Sequence, residues 1–568
     1  MIHEENRVVD YIEDEEKTVE TKQNILKGAM ILSIGVMLSK IIGLVYRIPL
    51  TNIIGDEGNG LYTSAYQVYV VILTLTATAI PAGLSKLIAE REAVGAHREA
   101  ERIFKLTLKG SMICALVLAV IVSLGADFIS DLFFPNEHVG QPIRVLVPTI
   151  LIATMVASLR GYFQGLGNMV PTAKSQVIEQ IVHVIFTVVL AYYLINKSLM
   201  SAITGATLGT SIGAFVALIL LLVTYKKVRR ERKSLLEAQT VVQAEDGKVI
   251  LKKILEIILP IIIGTSVFSI MTFIDLSMIT SLLPESLRKL KESGLIDTVP
   301  VPEASKLTID TIATSLKGQY GFQYNTFINI PVSLIIQLAA ASIPAIAASV
   351  AVNNQQEVGD KIKMIFKLGM IIGVPTSVAF LIFGQPIIGL VLVKGTGGEL
   401  LSAGAISLIF ITIAQLSAAV MQAMGKPLQA SIHAIGACLI KVVMNYILIR
   451  IPQLHIFGVV YSTTICYIIY SVLNLVYLYR HFKVRLEWKD VVIKPIFCSV
   501  VMGVTSYGAY IGMNQILGKP KVSMLVVIPF AIVVYFATAI ITKTITKDDL
   551  SGLPGGRKLG KFVKAWDI

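Results

Sequence analysis

The chain has 568 residues, of which 54% are hydrophobic and 15% charged, and its mean hydropathy is +0.73. Soluble domains carry about 25% charged residues, so this composition excludes a soluble globular protein and indicates a polytopic membrane protein. The net charge of +13 is accompanied by no nucleic-acid-binding motif, and we expect no nucleic-acid partner.

The chain begins with an acidic tail, residues 1–23. Residues 1–22 contain eight acidic and three basic residues and no apolar stretch. This composition is typical of a disordered segment and differs from that of a signal peptide. We therefore expect a cytoplasmic tail and no cleavable leader.

Apolar stretches long enough to cross about 30 Å of hydrocarbon follow the tail. They predict an all-α protein with fourteen membrane spans. The spans lie near residues 25–48, 61–88, 103–127, 143–165, 172–195, 201–225, 253–282, 321–350, 363–384, 400–424, 428–449, 456–479, 490–512 and 521–543.

Basic residues cluster after the second, sixth, eighth, twelfth and fourteenth spans, for example in KKVRRERK at 226–233. The positive-inside rule makes these loops cytoplasmic, and both termini with them. The basic loops also suit contact with anionic membrane lipids.

Short motifs recur in the same order in the two halves of the chain. IFKL occurs at 103–106 and at 365–368, and the segment AIPAGLSKLIAE (79–90) has a counterpart in SIPAIAASVAVN (342–353). Ordered repeats indicate duplication, and halves of six spans each have parallel orientation.

The repeat divides the chain into two lobes with a central cleft, the architecture of an alternating-access transporter. The predicted segments are an N-terminal lobe (24–225), a basic cytoplasmic linker (226–252), a C-terminal lobe (253–480) with an outer loop (283–318), two further spans (481–543) and a basic cytoplasmic tail (544–568).

Four polar residues in the fifth span recur at helical spacing, namely Gln176, Glu179, Gln180 and His183. They share one helix face, and a charge at membrane depth costs at least about 2.5–3.5 kcal/mol. Such a face normally lines a bundle interior or an aqueous cavity. We expect it to face the cleft, with an internally hydrogen-bonded structural cluster as the alternative.

Polar residues at membrane depth occur in other spans too. Lys40 and Arg47 share a face of the first span, and Lys441 and Asn445 share a face of the eleventh. Asp275 in the seventh span is either a cation site or an interfacial residue. The eighth span carries four amides, Gln323, Asn325, Asn329 and Gln337.

Three residues near the start of the second span, Tyr62, Tyr66 and Tyr69, suggest an interfacial aromatic belt. Arg160 and Lys174, at the ends of their spans, are interpreted as topology signals.

The sequence contains no phosphate-binding loop, no histidine pair at metal-ligand spacing and no nucleophile motif. We therefore predict a protein that is not an enzyme and needs no cofactor or metal. Its energy source would be an ion gradient, with sodium or a proton as coupling ion, the membrane potential, or the gradient of the cargo.

Several stretches resemble the multidrug/oligosaccharidyl-lipid/polysaccharide exporter superfamily. LSKIIGLVYRIPLTNIIGDEGNGLYTSAY, beginning at Leu38, resembles its branch of polysaccharide-biosynthesis and stage V sporulation B proteins. Further resembling stretches are GLSKLIAE (83–90), RGYFQGLGNMVPTAKSQVIEQ (160–180) and FIDLSMI (273–279).

This resemblance implies a flippase of the bacterial cell membrane that exports an undecaprenyl-pyrophosphate-linked glycan, first of all the peptidoglycan precursor lipid II. Lys40 matches a cationic position of the lipid II flippases, Arg47 lies near a second, and Asn445 matches an asparagine. The eighth span departs from them, because QYNTFINIP has amides where those flippases have an Asp-Arg pair. Cell-wall synthesis machinery is an implied partner.

The predicted substrate-binding residues are Lys40, Arg47, Gln176, Glu179, Gln180, His183, Asn325, Asn329, Lys441 and Asn445, and the predicted ion-coupling residues are Glu179 and Asp275. Outward movement of a doubly charged pyrophosphate gains on the order of 4–5 kcal/mol per 100 mV of inside-negative potential. The alternatives are a drug/cation antiporter of the same superfamily and a flippase for another envelope polysaccharide. A glycan polymerase and a scaffold rank far behind.

Overall fold

The computed structural model describes residues 35–238 apart from 41 and 44, and residues 246–351, 354–392, 396–484 and 487–545. Every regular element within these ranges is helical, which confirms the all-α prediction. The acidic tail and nearly all of the basic C-terminal tail lie outside the described residues.

The α-helices are numbered here in chain order from Arg47. They are α1 (Arg47–Leu73), α2 (Ile80–Ala93), α3 (His97–Phe133), α4 (Gly140–Gly165), α5 (Val170–Leu194), α6 (Leu199–Glu231), α7 (Lys233–Ala238), α8 (Gly247–Glu292), α9 (Ile309–Gly318), α10 (Asn325–Ala351), α11 (Gln355–Val391), α12 (Gly398–Gly404), α13 (Ser407–Ala423), α14 (Pro427–Leu448), α15 (Phe457–Phe482), α16 (Lys494–Leu517) and α17 (Pro520–Ile541).

Eleven membrane-spanning helices are found among the described residues, or twelve if the bent pair α12 and α13 counts as one span. The two helices of that pair meet at 53°. The first predicted span, 25–48, lies partly outside the described residues. The eighth, 321–350, corresponds to α10 and the turn before it.

Two breaks in the helices occur at a glycine with positive φ and before a proline. Gly55 has a φ of +68°, which a residue without Cβ adopts readily, and it divides α1 into two arms. A π-helical turn, Thr74–Thr78, precedes α2, whose first turn contains Pro81. Because proline has no N–H, the turn before it cannot continue as regular α-helix hydrogen bonding.

The chain forms two compact units. The first comprises residues up to Ile54, Ser64–Leu132 and Glu137–Ile270, and the second comprises Gly55–Thr63, Phe133–Asn136 and the chain from Met271 onward. The boundary at Ile270 falls within α8 and within the predicted seventh span, 253–282.

The core of the first unit lies where α2, α3, α4, α6 and α8 meet. Leu84 and Phe163 are fully buried there, and the rings of Phe104 and Tyr162 lie 4.7 Å apart. Between α5 and α6 the spacing is set by small residues. A Cβ at Gly213 of α6 would lie 2.8 Å from the backbone oxygen of Glu179, so glycine permits this close approach.

A network of ionic hydrogen bonds joins the ends of α2, α3 and α6. Arg232 Nη2 donates to both carboxylate oxygens of Glu92 at 2.6 Å, and His97 Nδ1 lies 2.7 Å from the same carboxylate. Burial lowers the pKa of Arg232, but the hydrogen bond and the charge of Glu92 raise it by more. The net result is a pKa above the ordinary value of arginine. The network fixes these three helix ends to one another.

The second unit is also held by close approaches of small residues. Gly373 of α11 lies against Thr412 of α13, where a Cβ would be 2.4 Å from the hydroxyl oxygen. A Cβ at Gly60 would lie 2.1 Å from the backbone oxygen of Thr314 in α9, so the turn after Gly55 packs backbone to backbone on that helix. On α16 and α17, Cys498 and Tyr535 form a further buried cluster.

Candidate functional site: two cation–carboxylate pairs

Helix α5 presents the predicted polar face as expected from its spacing. The helix begins at Val170 with Pro171 in its first turn, where the missing N–H costs nothing. His183 is buried, whereas Gln176, Glu179 and Gln180 are half-buried. These four residues are called the α5 polar stripe below.

The carboxylate of the stripe is paired with Arg160 of α4. Arg160 Nη2 donates to Glu179 Oε2 at 2.6 Å, and its Nε donates to the Ser175 hydroxyl at 2.9 Å. The side chains of Arg160 and Glu179 are only 15% and 31% exposed. Sequence reasoning assigned Arg160 a topology role and missed this pair, because the two residues lie on different helices and no periodicity connects them.

His183 ends the stripe in a polar environment. Its Nε2 lies 3.3 Å from the Thr210 hydroxyl of α6, and its Nδ1 lies 3.4 Å from Gln180 Nε2. The ring of Tyr46 lies 5.1 Å from the imidazole. The donor and acceptor roles of the two ring nitrogens depend on the tautomer.

The first-span cations are placed differently from each other. Lys40 is exposed, and Arg47 is half-buried. Among the tyrosines predicted to form a belt, Tyr62 and Tyr69 are 2% and 5% exposed, so the belt interpretation is wrong for these two. Tyr66 packs on Tyr69 with a ring separation of 5.6 Å.

A second group of polar residues lies in the second unit around Asp275 of α8. Lys441 Nζ donates to Asp275 Oδ2 at 2.5 Å, and Asn445 Nδ2 donates to Oδ1 at 2.7 Å. Tyr320 Oη donates to Oδ2 at 3.1 Å, and the Ser462 hydroxyl donates to the Asn445 oxygen. These five residues are called the Asp275 cluster, and all of them are buried.

The i, i+4 spacing of Lys441 and Asn445 on α14 places both side chains on the carboxylate of Asp275. The structure therefore brings Asp275 together with two predicted residues from a distant part of the sequence. Asp275 is 1% exposed, which excludes the interfacial interpretation. Tyr320 and Ser462 carried no sequence signal of their own.

The predicted amides of the eighth span do not join this group within the described chain. Asn325 is half-buried and Asn329 is exposed. Gln323 of the same span, which is not among the predicted site residues, is buried and donates to the Asp56 carboxylate at 2.6 Å.

Each predicted ion-coupling carboxylate is thus neutralised by a basic side chain of the same unit. A buried ion pair holds two charges at membrane depth because each partner, together with neutral donors, replaces the lost hydration of the other. Such a pair can exchange its internal partner for a charged group of a ligand.

The helical architecture is similar to the fold of a solved flippase and of solved multidrug transporters. A solved structure of lipid II flippase MurJ in an inward closed conformation matches with a TM-score of 0.64 at 15% identity, covering 90% of this chain and 98% of that one. An inward-facing MATE family multidrug resistance transporter matches with a TM-score of 0.61 at 16% identity, covering 80% and 98%.

The chain belongs to the polysaccharide biosynthesis protein family, whose model matches residues 25–350. The model for lipid II flippase MurJ matches residues 307–543. Stage V sporulation protein B of Bacillus subtilis (strain 168) is 23% identical over 546 residues, covering 94% of this chain and 98% of that protein. The predicted resemblance to the exporter superfamily is confirmed.

Proposed function

We propose that this protein is a flippase that moves an undecaprenyl-pyrophosphate-linked glycan from the inner to the outer leaflet of a bacterial cell membrane. In this proposal the chain has fourteen spans in two six-helix lobes plus two added helices, and both termini are cytoplasmic. It acts by alternating access, performs no catalysis and contains no cofactor.

The observation that carries the proposal is the pairing of Glu179 with Arg160 and of Asp275 with Lys441. A transporter of cationic drugs needs acidic groups that are free to bind a cation. Here both deep carboxylates already hold one, and the paired cations suit an anionic cargo instead. The family match and the MurJ-like fold support the same cargo class.

The pairs suggest how cargo binding is coupled to an ion. A pyrophosphate that approaches Arg160 or Lys441 competes with the carboxylate for the guanidinium or ammonium group. The released carboxylate then takes up a proton or sodium ion, which keeps the buried charge balanced. Outward release is driven by the membrane potential, and the cation returns inward as the protein resets.

Lipid II is the first cargo to test, because the MurJ model matches the second half of the chain. The eighth span favours a different lipid-linked glycan, since its amides replace the charged pair expected of lipid II flippases. The remaining predicted residues stay assigned to cargo binding in this proposal, namely Lys40, Arg47, Gln176, Gln180, His183, Asn325, Asn329 and Asn445.

A drug/cation antiporter is the second candidate, and the MATE-like fold is the observation that favours it. It predicts drug resistance on overexpression and no dependence on lipid-linked glycans. Cell-wall synthesis machinery is a proposed partner only if the protein is a flippase.

Proteoliposomes test the proposal directly. Purified protein is reconstituted with a fluorescent lipid-linked glycan, and flipping is measured with and without an imposed potential. We expect the rate of flipping to rise when the imposed potential is negative on the side of the membrane from which the cargo departs. Absence of flipping for every lipid-linked glycan would contradict the proposal. Flipping that does not depend on the potential would contradict the proposed driving force.

A further inference from the structure

The carboxylate of Asp275 has a partner that the proposed exchange does not use, the hydroxyl of Tyr320. Tyr320 Oη donates to Asp275 Oδ2 at 3.1 Å, and the same oxygen accepts from Lys441 at 2.5 Å. Tyr320 is 2% exposed and Asp275 is 1% exposed. When Lys441 leaves this oxygen for an anionic cargo, Tyr320 is therefore the group that remains on it.

An irregular helical segment holds the Tyr320 ring in place. The π-helical turn Gln319–Tyr324 lies between α9 and α10, and such turns are rare and often occur at functional sites. The rings of Tyr320 and Tyr324 stack at a distance of 5.5 Å, with 20° between their planes. A Cβ at Gly404 would overlap the Tyr324 ring, so glycine makes room for the stack. The hydroxyl of Tyr320 keeps only the rotation about its own C–O bond.

This rotation satisfies a protonated Asp275 as well as an ionised one. Tyr320 also lies within hydrogen-bond reach of Thr463, whose hydroxyl donates to the backbone oxygen of Val459 at 2.7 Å. The Thr463 oxygen is therefore able to accept. In the protonated state the O–H of Asp275 donates to Tyr320 Oη, and the Tyr320 O–H turns to Thr463. Only hydroxyl hydrogens move, so each of these buried polar groups keeps a partner.

A sodium ion fits these surroundings less well than a proton does. Hard cations need several oxygen ligands, whereas the groups that reach this carboxylate are the N–H groups of Lys441 and Asn445 and the O–H group of Tyr320. The Asn445 oxygen already accepts the hydroxyl of Ser462. A sodium ion would require the Asn445 amide to reverse and both of its hydrogen bonds to break, and a proton requires neither change.

We propose that Tyr320 is a positioning residue that allows Asp275 to exchange Lys441 for a proton, so that the proton is the coupling ion at this site. This inference rests on the proposed function and names its ion. The proton comes from the aqueous phase and adds to Asp275 Oδ2, while Lys441 keeps its own proton and pairs with the cargo. The site gains one positive charge, which the anionic cargo balances.

The other titratable groups of the described chain that face this pair are phenols and thiols. They are Tyr324 of the π-helical turn, Cys438 of α14, and Cys466 and Tyr467 of α15. None of these side chains contains a carbonyl group. The C=O stretch of a carboxylic acid therefore distinguishes protonation of Asp275 from titration of its neighbours.

Infrared difference spectroscopy of the purified full chain in detergent tests the inference without any cargo. Between about pH 8 and pH 4, we expect a carboxylic acid band to appear in the wild type that is absent from Asp275→Asn. If that variant does not fold, the double variant Lys441→Met/Asp275→Asn takes its place. Replacement of Na⁺ by choline at constant pH and ionic strength should leave the band unchanged.

Tyr320→Phe removes the hydroxyl and keeps the stacked ring. We expect the midpoint of the band to rise by about 1–2 pH units, because the ionised carboxylate loses one hydrogen bond. Tyr324→Phe is the matched control. It removes a hydroxyl from the same turn, whereas the hydrogen bonds to Asp275 come from Lys441, Asn445 and Tyr320, and it should leave the midpoint unchanged.

Absence of the band from the wild type down to about pH 4, or its suppression by Na⁺ at constant pH, would overturn the proton as the coupling ion. Equal midpoints in the wild type and Tyr320→Phe, or an equal rise in Tyr324→Phe, would overturn the role of Tyr320. The spectra require no flipping. A protein that gives the expected spectra but flips no lipid-linked glycan would contradict the proposed function alone, so the two failures are distinguishable.

Discussion

Replacement of Lys441 by methionine removes the cation that faces Asp275 and keeps most of the apolar stem of the side chain. The pair lies deep in the second unit, with side chains 6% and 2% exposed and a nitrogen–oxygen separation of 2.5 Å. Exposed pairs contribute about 0–1 kcal/mol, whereas loss of one partner of a buried pair costs about 3–5 kcal/mol.

The contacts that remain decide where in this range each variant falls. In Lys441→Met the carboxylate keeps two donors, Asn445 and Tyr320, so we expect a loss of about 3 kcal/mol. In Asp275→Asn the ammonium loses its carboxylate, and the loss is nearer about 4 kcal/mol. The double variant has no uncompensated charge in the pair, and we expect it to lose only about 2 kcal/mol.

The assay is a double-mutant cycle on unfolding free energies in one detergent, together with flipping in proteoliposomes. These three losses correspond to a coupling of about 5 kcal/mol between the two sites. The double variant should fold but not transport, because the proposed partner exchange needs both charges. Additivity within about 0.5 kcal/mol would refute the buried pair, and full transport by the double variant would refute its role in flipping.

Three further predictions follow from other parts of the chain. Glu179→Ala and Lys40→Ala should reach the membrane at normal levels yet abolish complementation, and normal transport by both would refute the site assignment. Burial lowers the pKa of His455, in the turn between α14 and α15, to about 4. Because the unfolded chain binds its proton near pH 6.5, stability should fall by roughly 3 kcal/mol between pH 6.5 and 4. His455→Asn, which tolerates the φ of +34° there, should lose much of that dependence, measured as melting temperature against pH; an equal pH dependence would contradict it. Gly213→Val should destabilise the α5–α6 contact by about 2 kcal/mol, because its Cβ meets the backbone of Glu179, and an unchanged melting temperature would contradict this packing.

Hydropathy and the periodicity of apolar residues were sufficient to predict most of the membrane-spanning helices. The apolar stretches predicted α3, α5, α14 and α17 because each is a single long helix with a clear length signal. The break at Gly55 and the π-helical turns were not predictable in this way, since they depend on how the chain packs after the helices form. The fifth-span stripe was recognised because its four residues share one helix face.

Contacts between different helices could not be predicted from the sequence. Lys441 and Asn445 were paired by spacing, but the carboxylate that receives both lies 166 positions from Lys441 in the chain. The pairing of Arg160 with Glu179 was missed for the same reason, because a basic residue at a span end is usually interpreted as a topology signal. In each case the spacing of residues within one helix does not show which helices pack against each other.

The central claim is the flipping of a lipid-linked glycan, and the most direct measurement is the accessibility of lipid II in the outer leaflet of living cells. The cells should contain this protein as the sole candidate flippase and lose it within minutes. A prompt fall in accessible lipid II on depletion is the result expected if lipid II is the cargo. Unchanged accessibility would contradict the lipid II assignment and leave another lipid-linked glycan or the antiporter as the function to test.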